Sequence, residues 1–172
     1  MQIPIPIKTQ RLLIREFDPE TDAIAMVGIY SDPEVMRFIP GGALNGVEAV
    51  EAELRRQVDL QAARGFSSWA VVERETSQVI GDAGFRVFEG TGDIELGYTF
   101  ARGYWGHGYA TEAASACLAA GLEHLDVPRI IAVVDVENEP SLGVVQRLGL
   151  ERIGMIDAHG CPHVLFARNV YG

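Results

Sequence analysis

The order of apolar and polar residues predicts strands and helices that alternate along the chain. Residues 9–17 alternate between the two types, which is typical of a half-buried strand. Residues 18–30 predict a helix, because proline suits the first helical position. Residues 31–34 are expected to start another short helix, and the proline and glycines within residues 38–42 predict a loop.

A long helix is predicted over residues 46–64. Asn45 is expected to cap its start, with Glu48 three residues later as in a capping box. Gly65 is expected to end the helix, because glycine readily adopts the left-handed conformation found just beyond a helix end.

The remainder of the chain predicts a mixed sheet. A hairpin of strands 67–74 and 79–88 is followed in order by a strand (94–100), a helix (109–124), a continuously apolar strand (129–136), a helix (140–148) and two strands (151–156 and 163–169). The continuously apolar strand is expected to lie centrally in the sheet. This order indicates one α+β domain over residues 1–172, with a mixed, mostly antiparallel sheet of about seven strands flanked by helices.

A glycine-spaced run, Arg102-Gly-Tyr-Trp-Gly-His-Gly-Tyr-Ala-Thr-Glu112, joins the strand 94–100 to the helix 109–124. Glycine allows backbone angles and close approaches that a Cβ atom would prevent. The first turn of a helix also offers unpaired N–H groups and a partial positive charge. A strand, a glycine loop and a helix in this order therefore predict a site for a phosphorylated ligand.

Composition narrows the possible partners. The chain has 14 basic and 24 acidic residues and a net charge of −10, which argues against nucleic-acid binding. This acidity would steer a cationic substrate such as an amine; the alternative is that it only keeps the protein soluble. No apolar run could span a membrane and residues 1–8 do not resemble a signal peptide, so we expect a cytoplasmic protein whose Cys117 and Cys161 are reduced.

Two common nucleotide sites do not fit the glycine run. A P-loop needs Gly-x-x-x-x-Gly-Lys-Ser/Thr, and no such run is present. In Gly106-His-Gly-Tyr-Ala-Thr111 the third glycine of a dinucleotide fingerprint is missing, and Asp135 comes later than the acidic residue expected about 20 residues on.

Several motifs resemble the GNAT N-acetyltransferases. The strand Ile94-Glu-Leu-Gly-Tyr-Thr-Phe100 and the run Tyr104-Trp-Gly-His-Gly-Tyr-Ala-Thr-Glu112 look like the loop that binds the pyrophosphate of acetyl-CoA in that family. The run Asp135-Val-Glu-Asn-Glu-Pro-Ser-Leu-Gly-Val-Val-Gln-Arg-Leu-Gly-Leu150 is similar to the family's second CoA segment.

The opening of the chain resembles one branch of the family. Thr9-Gln-Arg-Leu-Leu-Ile-Arg15 and Ser31-Asp-Pro-Glu-Val-Met-Arg37 look like the branch that acetylates N-terminal alanine or serine residues of ribosomal proteins. Gly81-Asp-Ala-Gly-Phe85 fits the same pattern. The resemblance covers nearly the whole chain.

The resemblance implies a GNAT-like fold, in which the curved sheet splays beside the loop-bearing strand. The pantetheine arm of acetyl-CoA would pair with the exposed backbone there, like an added strand. The implied acetyl-CoA contacts are Thr99, Phe100, Arg102, Trp105, Gly106, His107, Gly108, Tyr109, Ala110, Asn138 and Ser141. His107 is expected to lie near phosphate rather than to act as a catalyst.

Two positions depart from the family pattern. Gly103 stands where glutamine or arginine is usual, and Arg102 is expected to substitute for it. Val145 stands where many members carry the tyrosine that protonates the leaving thiolate. Ser141 or a water molecule is the expected acid in its place.

The implied reaction is direct attack of a neutral primary amine on the thioester. The α-amine of a protein N terminus, with a pKa near 8, needs less help from a base than a lysine-type amine near 10.4. Glu95, in an apolar strand beside the loop, is the expected base, because burial would raise its pKa into a useful range. The alternative is that Glu95 only bonds neighbouring backbone.

The sequence gives fewer signals for the residues that would bind the acceptor amine. Phe38 and Trp69 are expected to line it, although Trp69 fits the core equally well. His159-x-Cys161-x-His163 alternates like a metal clip, but without a second ligand cluster we expect no metal. The alternatives to a protein N terminus are a small amine, such as a polyamine or antibiotic, and a non-catalytic acyl-CoA-binding module. A monomer and a homodimer both fit the sequence.

Overall fold

Eight strands form a single sheet in the computed structural model, which describes residues 1–171. The strands are β1 (Ile7–Lys8), β2 (Leu12–Arg15), β3 (Ser68–Glu73), β4 (Gln78–Val87), β5 (Ile94–Phe100), β6 (Arg129–Asp135), β7 (Glu151–Ala158) and β8 (Cys161–Asn169). The helices are α1 (Pro19–Tyr30), α2 (Val47–Arg64), α3 (Tyr109–His124) and α4 (Glu139–Arg147), and a 3₁₀ turn (Arg102–Tyr104) precedes α3.

The sheet has the order β1-β2-β3-β4-β5-β6-β8-β7. Strands β5 and β6 pair in parallel and the other neighbours are antiparallel, which confirms the expected mixed α+β class. The short strand β1, which was not predicted, adds an eighth strand by pairing with β2. Strand β6 lies between β5 and β8, as its apolar sequence predicted. Among the described residues, the helices are too short or too polar to cross a membrane.

Two local predictions are wrong. Residues 31–34 form turns rather than a helix, because the Asp32 carboxylate accepts a hydrogen bond from the Glu34 N–H at 3.0 Å. A side-chain turn of this kind competes with helical hydrogen bonding. Helix α2 starts at Val47 after the N-cap residue Gly46 (φ +92°), without any side-chain cap, so the capping box of Asn45 and Glu48 does not form. Gly46 rather than Asn45 occupies the N-cap position, so Asn45 lies one residue outside the place from which its side chain could cap the helix.

The end of α2 is as predicted. Gly65 adopts the left-handed conformation (φ +80°), and its N–H donates to the Gln61 carbonyl. The backbone of Met1 and Gln2 packs so closely against Gly65 that a Cβ atom there would lie 2.4 Å from the Met1 carbonyl oxygen. Any other residue at this position would therefore displace the N-terminal segment.

Helices cover both faces of the sheet. Helix α3 packs over a large core whose buried residues include Trp69, Phe85, Leu96, Phe100, Ala113 and Cys117. Helices α1 and α2 cover the opposite face, where the buried residues include Met26, Ile29, Tyr30, Val50, Leu54 and Ala70. The middle of strands β3 and β4 is thus largely buried, which fixes the position of the groups carried there.

The sheet splays between β5 and β6. These strands pair only through Ile94 with Ile130 and Glu95 with Ile131, whereas β5 remains paired with β4 along its whole length. Beyond Glu95 the strands separate, and the described residues place no further strand beside Gly97 to Phe100. The gap implied by the family resemblance is therefore present, with backbone groups of β5 at its edge.

Candidate functional site

The glycine loop leads into an uncapped helix. Gly106 and Gly108 have φ values of +77° and +80°, a conformation that side-chain-bearing residues rarely adopt. Gly108 is the N-cap of α3 and provides no side-chain oxygen for the first-turn N–H groups. A Cβ atom at Gly106 would meet no atom within 4 Å, so the loop is open on that side. These amides and the helix dipole suit an anionic group.

Arg11, the residue just before β2, holds the loop in place. Its Nη1 donates to the His107 carbonyl at 2.8 Å, and its Nε donates to the Glu112 carboxylate in the first turn of α3 at 2.7 Å. The guanidinium also lies 4.2 Å from the centre of the Tyr109 ring. This role was not predicted, although Arg11 lies within the run Thr9–Arg15 that resembles the family.

A cavity of about 1130 Å³ lies against the loop and the edge of β5. Its lining includes every residue expected to contact acetyl-CoA except Arg102 and His107. These lining residues are Thr99, Phe100, Trp105, Gly106, Gly108, Tyr109, Ala110, Asn138 and Ser141. Two cations that the sequence analysis did not select, Arg37 and Arg147, line it as well. They supply positive charge that an acidic protein needs near a phosphorylated ligand.

Arg102 and His107 lie outside this cavity lining. The Arg102 guanidinium donates to the Asp32 carboxylate at 2.6 and 3.0 Å, and these hydrogen bonds lower the pKa of Asp32. The backbone carbonyl of His107 is bonded to Arg11. Their contact with a cofactor therefore stays a prediction.

A second cavity, of about 670 Å³, opens between the sheet and the α1–α2 side. The two cavities share six residues at the splay, namely Phe38, Ile39, Tyr98, Thr99, Asn138 and Ser141. Phe38 thus lies where the acceptor side was expected to begin. Two ligands that enter through the two cavities would meet at this junction.

Trp69 does not line the acceptor cavity, and that prediction is corrected. Its side chain has no exposed surface, its ring packs edge-to-face on Phe85 at 6.0 Å, and its Nε1–H donates to Gln61 at 2.9 Å. Trp69 belongs to the core under α3 because strand alternation turns it away from the cavity, which Ser68 lines instead.

Two hydroxyl groups meet at the junction. Tyr98 Oη on β5 lies 2.8 Å from Ser141 Oγ on α4. Burial raises the pKa of Tyr98 to about 12, so this hydroxyl is protonated at neutral pH. Asn138 accepts a hydrogen bond from the Ser141 N–H at 3.3 Å, which orients the start of α4. Val145, at the position of the missing tyrosine, is 1% exposed and belongs to the core.

Two buried carboxylates face the second cavity. Glu95 is 2% exposed, as predicted, and both of its oxygens accept hydrogen bonds from Arg86 at 2.8 Å. Asp82 is 6% exposed and accepts hydrogen bonds from Tyr30 Oη at 2.7 Å and Ser68 Oγ at 2.9 Å. Burial raises the pKa of Asp82 to about 6 against these hydrogen bonds. Asp82 was not among the predicted site residues.

Cys161 and His163 lie beside Asp135, with their potential ligand atoms within 4.8 Å of one another. Asp135 on β6 is the partner that the sequence pattern lacked. The Cys161 thiol donates to Asp135, and His163 Nδ1 lies 3.0 Å from the Cys161 carbonyl, so these groups already bond one another. The absence of a metal stays a prediction. Cys117 and Cys161 are both free thiols, as expected.

The sequence is similar to a known protein family and to individual members of it. Residues 11–151 match the family described as acetyltransferase (GNAT) domain. The chain is 34% identical over 148 residues to the uncharacterized N-acetyltransferase YnaD of Bacillus subtilis, covering 86% of this chain and 84% of that protein.

Solved structures share the same fold. An acetyltransferase of the GNAT family from Bacillus anthracis superposes with a TM-score of 0.84 at 29% identity, covering 98% of this chain and 100% of the other. A ribosomal-protein-S5-alanine acetyltransferase from Vibrio fischeri superposes with a TM-score of 0.79 at 18% identity, covering 96% and 97%. At that lower identity the likeness concerns the fold.

Proposed function

The chain belongs to the GNAT acetyltransferase family, and on that premise we propose that it transfers acetyl from acetyl-CoA to the α-amine of a protein N terminus. The observation that carries the proposal is the junction of two cavities at the splay, one bordered by the amide loop and the other by buried carboxylates. A donor and an acceptor that enter through the two cavities would come together only there.

The donor side fits acetyl-CoA. The pyrophosphate would lie on the amides at Gly106 and Gly108, with Arg37 and Arg147 close by. The pantetheine arm would extend along the unpaired edge of β5 at Thr99 and Phe100. Bound acetyl-CoA supplies an activated thioester, and this path delivers it to the junction.

A direct transfer within a ternary complex suits the junction. No cysteine of the described chain lines either cavity, so an acyl-cysteine intermediate has no obvious carrier. Ser141 is proposed to protonate the leaving thiolate, since its hydroxyl lies at the junction and touches Tyr98. Glu95 remains the base candidate from the sequence, although Arg86 occupies both of its oxygens.

The acceptor class rests on two arguments. The fold likeness to a ribosomal-protein-S5-alanine acetyltransferase supports a protein N terminus. An α-ammonium, with a pKa near 8, also needs a weaker base than a side-chain amine. A small amine is the second candidate, favoured by the acidic groups Glu53, Asp82 and Glu89 that line the acceptor cavity.

Release of CoA thiol from acetyl-CoA, measured with a panel of amines, tests the proposal. The panel contains peptides that begin with Ala or Ser, the same peptides blocked at the N terminus, and spermidine. Thiol release that depends on a free peptide N terminus supports the proposal. Release with spermidine alone would favour the small-amine function. Binding of acetyl-CoA without release for any amine would favour a non-catalytic binding module.

A further inference from the structure

We propose that Asp82 binds the ammonium group of the acceptor and takes its proton, a step that rests on the proposed function. Asp82 lies on β4 directly opposite Thr99 on β5. Side chains of directly opposed residues start about 5 Å apart on the same face of a sheet. Since Thr99 borders both cavities, Asp82 lies one strand away from the point where the acetyl group would arrive.

Asp82 forms no direct ion pair in the described chain, in contrast to Glu95, although the charge of Arg86 lowers its pKa from a distance. Arg86 forms an ion pair with Glu95 at 2.8 Å. None of the ion pairs among the described residues contains Asp82. Its partners are neutral hydroxyls, those of Tyr30 and Ser68, and the Thr99 hydroxyl also lowers its pKa by hydrogen bonding. A carboxylate with two oxygens can accept about four hydrogen bonds, so Asp82 retains capacity towards the cavity. A buried carboxylate without a cation is costly, and an incoming ammonium would relieve that cost.

The position of Asp82 is fixed by packing from three sides. Tyr30 approaches from α1 and Ser68 from β3, while the glycines Gly81 and Gly84 on β4 lie close against neighbouring backbone. On β5, Gly97 lies between Thr99 and Glu95, and a Cβ atom there would meet open space. The sheet surface beside Asp82 therefore carries no side chain at Gly97, which leaves room for the substituent of the amine.

The protonation behaviour of Asp82 suits an α-amine. Desolvation places its pKa at about 6, so the group is a carboxylate at neutral pH. Transfer from an α-ammonium would be uphill by roughly 100-fold and from a lysine-type ammonium by roughly 10,000-fold. The other titratable or charged groups around Asp82 are Tyr30, Glu53, Arg56, Arg86, Glu95 and Cys117. Arg86 is already matched by Glu95, which leaves Asp82 to receive the cation.

The transfer balances in protons and bonds. The acceptor ammonium gives one proton to the Asp82 carboxylate, and the neutral nitrogen forms a bond to the acetyl carbon. The carbon–sulfur bond breaks, and a second proton of the nitrogen ends on the sulfur. The products are an amide and CoA thiol, and Asp82 returns its proton to solvent.

The pH dependence of kcat/KM with an Ala-initiated peptide amide tests this role. We expect kcat/KM of the unmodified protein to fall below about pH 6 as Asp82 is protonated. Asp82→Asn should lower kcat/KM about 100-fold and remove this acidic limb. O-Methylhydroxylamine is already neutral in this range, so its rate should fall much less in Asp82→Asn. An acidic limb that persists in Asp82→Asn, or equal losses with both amines, would overturn the proposal.

Ser68→Ala provides a second variant if Asp82→Asn does not fold. Removing a hydrogen bond to the ionised carboxylate should raise the pKa of Asp82, so the acidic limb should move to higher pH. A role for Ser68 in packing alone would lower the rate without moving the limb. An unmoved limb would therefore contradict the assignment of the limb to Asp82.

Carbon-13 NMR of the protein labelled at aspartate carboxyl carbons gives a test without turnover. The Asp82 signal is identified because it disappears in Asp82→Asn or shifts in Ser68→Ala. This signal should titrate near pH 6 and shift on addition of alaninamide. A signal that does not respond to alaninamide would overturn the binding role even in a protein that acetylates peptides. Absence of turnover with an intact response would instead count against the proposed function alone.

Discussion

The hydroxyl oxygens of Tyr98 and Ser141 lie 2.8 Å apart across the gap between β5 and α4. Tyr98 comes from the strand that precedes the glycine loop, and Ser141 comes from the first turn of α4. Both residues border the two cavities at their junction. The pair therefore stands where a leaving thiolate would need a proton, and it could compensate for Val145 at the position of the usual tyrosine.

Ser141→Ala and Tyr98→Phe should both lower kcat, because each removes one hydroxyl of this pair. A positioned acid contributes about 100-fold or more to a rate, so Ser141→Ala is expected to lower kcat by about 100-fold. The KM for acetyl-CoA should change little. Steady-state kinetics measure both values, and a thioester with a more acidic leaving thiol should be affected less.

The matched control for Tyr98→Phe is Tyr171→Phe. The Tyr171 hydroxyl donates to Asp126 at 2.7 Å on an exposed surface and borders neither cavity. The control variant should retain the parent rate. A Ser141→Ala protein with unchanged kcat for both thioesters would rule out Ser141 as the acid.

Gly108→Glu should weaken acetyl-CoA binding by about 100-fold or more. The substitution strains a left-handed backbone position (φ +80°) and places a negative charge at the anion site, where two like charges about 4 Å apart repel by several kcal/mol. Isothermal titration measures the affinity. Gly92→Glu is the matched control, since Gly92 has φ +78° and lies in the exposed β4–β5 turn. Equal affinity of the two variants would refute the loop assignment.

Site residues that are close together in the sequence could be predicted from it, whereas contacts between residues far apart in the sequence could not. The glycine loop and the start of α3 are adjacent in the chain, so local glycine and helix signals were enough to identify them. The contacts missed by the sequence analysis join distant residues, such as Tyr30 to Asp82 and Arg11 to Glu112. They depend on the sheet order and on where α1 packs, which local patterns do not encode.

The errors have the same origin. Trp69 was expected near the substrate because an aromatic residue suits either a cavity or a core. Which face of β3 it occupies depends on the register with β4, where Trp69 pairs with Ala83 and Ser68 pairs with Gly84. Residues 31–34 carried a helix-like start, but the Asp32 side chain bonds locally and also pairs with Arg102. In both cases tertiary contacts decided between two locally acceptable outcomes.

Removing the cation from the Arg86–Glu95 pair should destabilise the protein more than neutralising the acid. The Glu95 side chain is 3% exposed and the Arg86 side chain 47% exposed. Arg86→Met leaves a buried carboxylate unpaired, at an expected cost of about 3 kcal/mol in the free energy of unfolding. The double variant Arg86→Met with Glu95→Gln should recover much of that loss. Urea denaturation of the two single variants and the double variant measures the coupling.

The same variants report on catalysis. If Glu95 is the base, Glu95→Gln should lower kcat/KM and shift its pH profile while acetyl-CoA affinity stays intact. If Asp82 is the base, Glu95→Gln should keep the acidic limb of the profile. An unchanged rate in a folded Glu95→Gln protein would remove Glu95 as base, and the coupling energy would then describe a purely structural pair.

Glu112 should make stability depend on pH through its contacts with Thr9 and Arg11 in the turn between β1 and β2. Partial burial opposes its ionisation, but hydrogen bonds from Thr9, the Arg11 N–H and the Arg11 guanidinium lower the pKa of Glu112 below its ordinary value. A carboxyl group whose pKa is lowered on folding contributes stability above its unfolded pKa and loses it as the pH falls through the folded pKa.

Glu112→Gln should therefore lower the free energy of unfolding by about 1–2 kcal/mol at pH 7, a value reduced for the exposed Arg11 partner. The difference from the parent protein should shrink as the pH falls below about 4.5, because the parent loses the charge as well. Glu123→Gln, on the exposed last turn of the same helix, is the control and should show a small difference at every pH, since its side chain is 74% exposed. Denaturation midpoints measured across this pH range check the prediction. A Glu112→Gln deficit that stays constant down to pH values below the folded pKa would assign the loss to packing rather than to the charge.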